Sequence, residues 1–386
     1  MELSGITVET PAPKGGRIVR DTDGEAIGVF EERAMDALYV ALDKYRETLS
    51  PELREAEWLK VIALAQQECL ENGVTSFQDA GSPYKEIDRY HELAKKGELD
   101  IRLWAMIRQP YEETKVRIQE FPLLNAGNHH FTVRAVKSQV DGALGAHGAW
   151  LLAPYDDKPS FHGQNTTTVE EVSNMAKLCI AQGLQLCIHA IGDRANREVL
   201  NIFEREFKAN PDKKDVRWRI EHAQHVNVND IPRFAELDVI ASMQGIHCTS
   251  DAPFVNKRLG ERRSKEESYA WRSILDSGAR IANGTDAPVE DISPIENFYA
   301  SVTRKRQDGM EFYPEQRMTR EEALRTYTLD NAYAAFEEKD KGSLTVGKLA
   351  DITVLSKDLL TVPDEEILDT KILYTIVGGE VKYKQK

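Results

Sequence analysis

Four apolar runs in this chain each end on a residue able to hold a metal or move a proton: FTVRAVK at Lys137, LQLCIH at His189, RWRIEH at His222 and RIANGTD at Asp286. They alternate with amphipathic runs. Several are continuously apolar rather than period-two, which is how strands of a parallel sheet covered on both faces read. Strand starts fall at about residues 74, 101, 131, 184, 217, 239 and 280. Seven such units predict an α/β chain, a (β/α)8 barrel that lacks its first strand. A parallel barrel gathers the C-terminal ends of its strands around one mouth, so residues scattered over about 150 positions meet there.

Helix punctuation supports the alternation. Ser50-Pro51 gives an N-cap with Pro at the first helical position. Thr168 to Glu171 is a capping box, and Val172, Met175, Ala176, Cys179 and Ile180 form the apolar stripe behind it. Ser293-Pro294-Ile295-Glu296 and Thr319 to Glu322 repeat the device. Residues 1–30, rich in Gly, Pro and Asp, predict an extended loop. Beyond Gly342, GSLTVGKLADITVLSKDLL and ILYTIVGGEVKY alternate apolar and polar residues around turns such as Gly378-Gly379. These predict antiparallel strands of a small sheet, too short to stand alone. The expected division is an incomplete barrel over 1–342 and C-terminal strands of a composite β-sandwich over 343–386.

A formal net charge of −14 argues against a nucleic-acid partner. The basic cluster of Arg258, Arg262, Arg263 and Lys265 is interrupted by Glu261, Glu266 and Glu267 and reads as solvated surface. No apolar run approaches the roughly 20 residues of a membrane helix, and the start carries no basic-then-apolar leader. Cys69, Cys179, Cys187 and Cys248 form no C-x-x-C and read as reduced, buried thiols. The expected setting is the cytoplasm and the expected partner a small-molecule substrate. A barrel short of one strand exposes its edges, so association between copies of the chain is also expected.

His189, His222 and Asp286 offer two imidazoles and a carboxylate, a set suited to one or two divalent ions. Zinc is the default; iron and manganese also fit. Asp286 is the candidate catalytic residue, able to bind the metal and carry the proton of an attacking water. Lys137 as an ammonium would repel a metal. Desolvated, its amine can take up carbon dioxide as a carbamate, a bidentate anion able to bridge two metals. Each assignment has a plainer rival. A single strand-end histidine is more often structural, Asp286 in GTDAP could cap the next segment, and Lys137 could pair with Asp141.

The remaining candidates are substrate contacts or supports. Asp141 and His147, in the DGALGAH loop, are expected to line the mouth. Asp193 shares strand parity with His189 and is expected to orient it. His225 reads as a supporting or structural residue, and Gln244 and His247, ending VIASMQGIH, as substrate contacts.

The order Lys137…HAIGDRAN…RIEHAQ…ANGTDAPVED…TLDNAYAAF…GSLTVGKLADITVL…TIVGGEVKY resembles the metal-dependent amidohydrolase superfamily. It is most similar to the YtcJ-like branch, which includes N-substituted formamide deformylases. The resemblance implies a (β/α)8 barrel with a small β-sandwich built from both chain ends. It implies Lys137 as a carboxylated lysine, His189 and His222 as ligands of the second metal, and Asp286 as ligand and base. It also implies a first barrel strand carrying His-x-His, which this sequence does not contain. The expected activity is hydrolysis of an amide or formamide-type C–N bond by metal-activated water. The alternatives are an inactive or single-metal chain and a non-catalytic regulatory barrel.

Overall fold

A computed structural model describes residues 2–13 and 16–386 of the chain. Residues 16–32 are a hairpin of β1 (Gly16–Arg20) and β2 (Ala26–Glu32), where an extended loop was expected. The turn explains the difference. Asp21 Oδ1 accepts from the amides of Asp23 and Glu25, and Gly24 takes φ +86°. Asp and Gly in that spacing build tight turns as readily as loops.

The centre is one curled sheet of β3 (Ser76–Ser82), β4 (Arg102–Ile107), β5 (Leu123–Asn125), β6 (Phe131–Gln139), β7 (Gln185–Ala190), β8 (Arg219–His222), β9 (Ile240–Met243) and β10 (Ile281–Asn283). Seven of these strands are parallel, in the order β3-β4-β6-β7-β8-β9-β10, and β5 adds an antiparallel edge to β6. All seven predicted starts lie within two residues of the observed ones. Sequence neighbours are spatial neighbours throughout, the signature of a β/α barrel path. Among the described residues β3 and β10 do not pair, so the barrel has an open seam between them.

Strand parity divides the core. Val136, Leu186, Ile188 and Ile220 face the helices, while Met106, Ala135 and Cys187 face inward with Trp104. A bulge at Arg134, between Val133 opposite Ala105 and Ala135 opposite Met106, sets this parity and brings Lys137 to the interior. The floor is plugged by the end of TLDNAYAAF. Ala334 O accepts from Arg219 and Gln185, at 3.0 and 2.9 Å. The guanidinium of Arg134 lies 3.7 Å over Phe336, and those of Arg217 and Arg280 lie 3.8 and 4.1 Å over Tyr333.

The C-terminal strands β11 (Ile352–Leu355), β12 (Ile372–Val377) and β13 (Glu380–Lys384) form a three-stranded antiparallel sheet, as the alternation predicted. Gly378 and Gly379 take φ +61° and +85°, the conformation a two-residue hairpin turn demands. The sheet docks on the barrel through a buried bidentate pair, Arg102 to Asp351 at 2.6 and 2.9 Å. Thr375 and Thr353 hydroxyls donate to the carbonyls of Leu70 and Gly73, both at 2.6 Å. Among the described residues the β1–β2 hairpin does not join this sheet. It meets the barrel's loops instead, where Arg33 donates to Thr166 O. Among the described residues no helix is long and apolar enough to cross a membrane.

Candidate metal centre

The strand ends converge at the barrel mouth. Lys137 pairs in register with Cys187, and His189 with Glu221, so Lys137, His189 and Glu221 share the inward face. By strict alternation His222, one residue beyond Glu221, would turn outward. The backbone breaks the alternation with φ +77° at His222 and +43° at Ala223. The His222 ring thereby reaches the His189 ring, with centroids 4.4 Å apart. Asp286 also sits at φ +59°. Such conformations cost non-glycine residues of order 1–3 kcal/mol each and concentrate at functional sites.

The imidazoles are anchored from behind. Gln244 donates its amide to Ser242 O at 3.3 Å, which turns its oxygen toward His222 Nδ1 at 2.8 Å. A carbonyl can only accept, so His222 Nδ1 carries the proton and Nε2 presents a lone pair to the cavity. His247 Nδ1 contacts the Gln224 amide at 2.9 Å. His222, His247 and Asp286 bring ligating atoms within 4.8 Å of one another. Among the described residues, His189 Nε2, His247 Nε2 and Glu221 Oε1 are buried without a hydrogen-bond partner. Buried polar atoms of that kind are costly and call for an explanation.

Burial dominates the electrostatics. It holds His222 and His247 down at about 4 and His189 well below the ordinary imidazole value, with Lys137 and the neighbouring rings adding to the effect. All three are neutral at physiological pH, the form that coordinates a metal. Burial also lowers Lys137, opposed chiefly by Glu221. It raises Asp286, against the pull of His247 and Lys137.

Asp141, expected at the mouth, is fully buried and clamps the loop that follows β6. It accepts from the amides of Trp150, Ile191 and Gly192 at 2.8 to 2.9 Å, and its Oδ1 lies 3.7 Å from His189 Nε2. Asp193, expected to orient His189, instead accepts from the amides of Leu152 and Arg194, both at 2.9 Å. It begins the helix Asp193–Ala209 and so lies beyond strand parity. His225 is buried with Nδ1 on the Ser268 hydroxyl at 2.9 Å, a structural placement. His147 bonds Asp157 at 3.1 Å and lines a cavity of about 450 Å3 between the hairpin and residues 146–164, with Arg17, Glu31, Lys158 and Phe161. None of Lys137, His189, His222 or Asp286 lines that cavity.

Sequence reasoning missed Glu221 and placed His247 among substrate contacts. His247 lies in the first turn of the helix Gly245–Glu267 rather than on a strand, and no periodicity signals its direction. The residues present fit a divalent ion. They offer neutral imidazoles with buried ring nitrogens, the half-buried carboxylate of Asp286, and a lysine stripped of water.

A model of the amidohydrolase family matches residues 1–383. The protein LONG AFTER FAR-RED 3 of Arabidopsis thaliana is 32% identical over 99% of this chain, which spans 66% of that relative. The N-substituted formamide deformylase of Arthrobacter pascens is 27% identical over the whole chain and 70% of its own length. An uncharacterized metal-dependent hydrolase from Pyrococcus horikoshii OT3 superposes with a TM-score of 0.76 at 27% identity, over 94% of this chain and 69% of that one. The sequence motifs, the barrel path and these relatives agree: the chain belongs to the amidohydrolase family.

Proposed function

We propose that this chain is a metal-dependent hydrolase acting on an amide or formamide-type C–N bond of a small molecule. The observation that supports it most is the gathering of Lys137, His189, His222 and Asp286 from separate strands around one buried mouth. His189 and His222 would hold a divalent ion, zinc first by donor chemistry, with Asp286 and a carbamate of Lys137 as oxygen donors. Such an ion supplies Lewis acidity, making hydroxide accessible near neutral pH and polarising a carbonyl. The chain's own residues do the rest. Asp286, its pKa raised by burial, accepts the proton of the attacking water and returns it to the leaving nitrogen. Desolvation keeps the Lys137 amine available for carboxylation. Asp141 fixes the loop over His189.

The Arthrobacter relative's name supports N-substituted formamides as the first substrates to assay. Asp286→Asn is expected to lose at least about 100-fold in kcat/KM on a panel of formamides and amides. Elemental analysis of both proteins accompanies the assay. Unchanged turnover in the variant would remove Asp286 from the chemistry. The alternative reading is a metal-binding but non-catalytic barrel. Wild-type protein that retains metal and turns over nothing on the panel would select that reading.

A further inference from the structure

We propose that His247 is a metal ligand, so that His222, His247 and Asp286 form a three-donor cation site. The inference rests on the metal-dependent reading above and alters its ligand set. Two metal bonds of about 2.1 Å span at most about 4.2 Å between donor atoms. His247 Nε2 and Asp286 Oδ2 are 4.0 Å apart. That gap is too long for a hydrogen bond, so a plain His–Asp pair does not account for it. It falls inside that span, and with all three donor atoms within 4.8 Å of one another a small closure of the set would seat a shared ion.

The burial of His247 points the same way. Its Nε2 is enclosed and makes no hydrogen bond, while Nδ1 is held by Gln224. A metal-ligating histidine donates its other ring N–H to an acceptor, as His222 does to Gln244 Oε1. Gln224 presents its amide N–H to His247 Nδ1, so ligation through Nε2 requires that amide to turn its oxygen to the ring. His222 therefore stands between two rings, His189 at a centroid distance of 4.4 Å and His247 at 6.2 Å.

The backbone that carries His247 is pinned. Gly245 N donates to Asn283 Oδ1 at 3.1 Å and Ile246 N to Asn297 Oδ1 at 2.5 Å. A Cβ at Gly245 would lie 2.2 Å from Ser301 Oγ and 2.8 Å from Asn297 O. Glycine alone lets this helix start press against the helix Pro294–Thr303. The ring is thus placed by packing rather than by the ligand it would hold.

The test is Co2+ binding to EDTA-stripped protein, followed by absorption and calorimetry, with no substrate present. His247→Asn removes Nε2 while keeping an amide to meet Gln224. Ligation predicts Co2+ affinity at least about 10-fold weaker than wild type, since loss of a mere supporting group already costs 10- to 100-fold. Asp286→Asn should weaken it comparably, and His222→Asn more. His247→Gln replaces the Asn variant if that protein's metal-free Tm falls below wild type. Wild-type affinity in the His247 variant, with binding lost in the His222 variant, would overturn this inference and leave the metal-dependent reading standing. No Co2+ binding by wild type would overturn both.

Discussion

At the floor of the barrel, Arg219 gives Nε to Gln185, Nη1 to Gln78 and Nη2 to Ala334 O, at 3.1, 2.6 and 3.0 Å. Arg217 divides its donors among Asp215, Glu338 and the carbonyl of Tyr333. At the mouth, one barrel layer away, His189, His247 and Glu221 each keep a buried polar atom without a partner among the described residues. His222 and Asp286 sit in left-handed backbone there. Both ends are polar and enclosed; among the described residues the floor bonds the donors of Arg217 and Arg219 and leaves Arg134 Nε without a partner, while the mouth leaves two ring nitrogens and a carboxylate oxygen bare. The floor is organised for stability and the mouth for binding something, the division expected of a β/α barrel.

The contrast breaks if the floor proves dispensable. Arg219→Met should lower unfolding free energy by about 3 kcal/mol in urea, because acceptors of Gln78 and Gln185 lose their donor inside the core. Its Co2+ affinity should match wild type. A large change in metal affinity would mean that floor and mouth are one unit.

Acid sharpens the contrast. Burial holds the folded-state values of His222 and His247 at about 4 and of His225 at about 3, below the ordinary 6.5. The unfolded chain therefore binds more protons as pH falls from about 6.5 to about 4. Metal-free stability is complete above that window and drops through it by roughly 1 kcal/mol per pH unit for each ring. Denaturation midpoints between pH 7 and 4 measure this, and replacing His222 by Gln should flatten the slope.

The smallest effect has the opposite sign. His189→Leu removes a buried ring nitrogen that has no partner, so metal-free protein should be unchanged or gain up to about 1 kcal/mol. A clear loss in a urea titration with EDTA would show that the ring is a structural element of the mouth.

Most of the frame was legible because it rests on local rules. The seven strand starts followed from apolar runs, and the capping boxes at Thr168 and Thr319 are present with both reciprocal hydrogen bonds. The four free cysteines are buried, and burial pushes the Cys187 thiol up to about 12. The site was legible only as far as strands carry it. Lys137, His189 and the neighbourhood of Asp286 come from strand ends. His222 enters the mouth through a backbone reversal that parity cannot foresee, and His247 through a helix start set by packing against Asn283 and Asn297. Asp141 and Asp193 are both buried and clamp backbone amides, because each lies beyond its strand, where parity no longer sets direction. The hairpin at 16–32 hid behind residues that serve loops and turns alike.

The plug at Tyr333 to Phe336 has a consequence for how the chain is made. The arginines it covers are translated long before it, from Arg134 onward. Until that segment is made, Arg134, Arg217 and Arg280 lack the rings they stack on, and Arg219 lacks the Ala334 carbonyl. Strand pairing can proceed in order of synthesis, but drying of the floor waits for a late segment, so a chain halted near residue 330 would have its seven parallel strands made and its floor still wet.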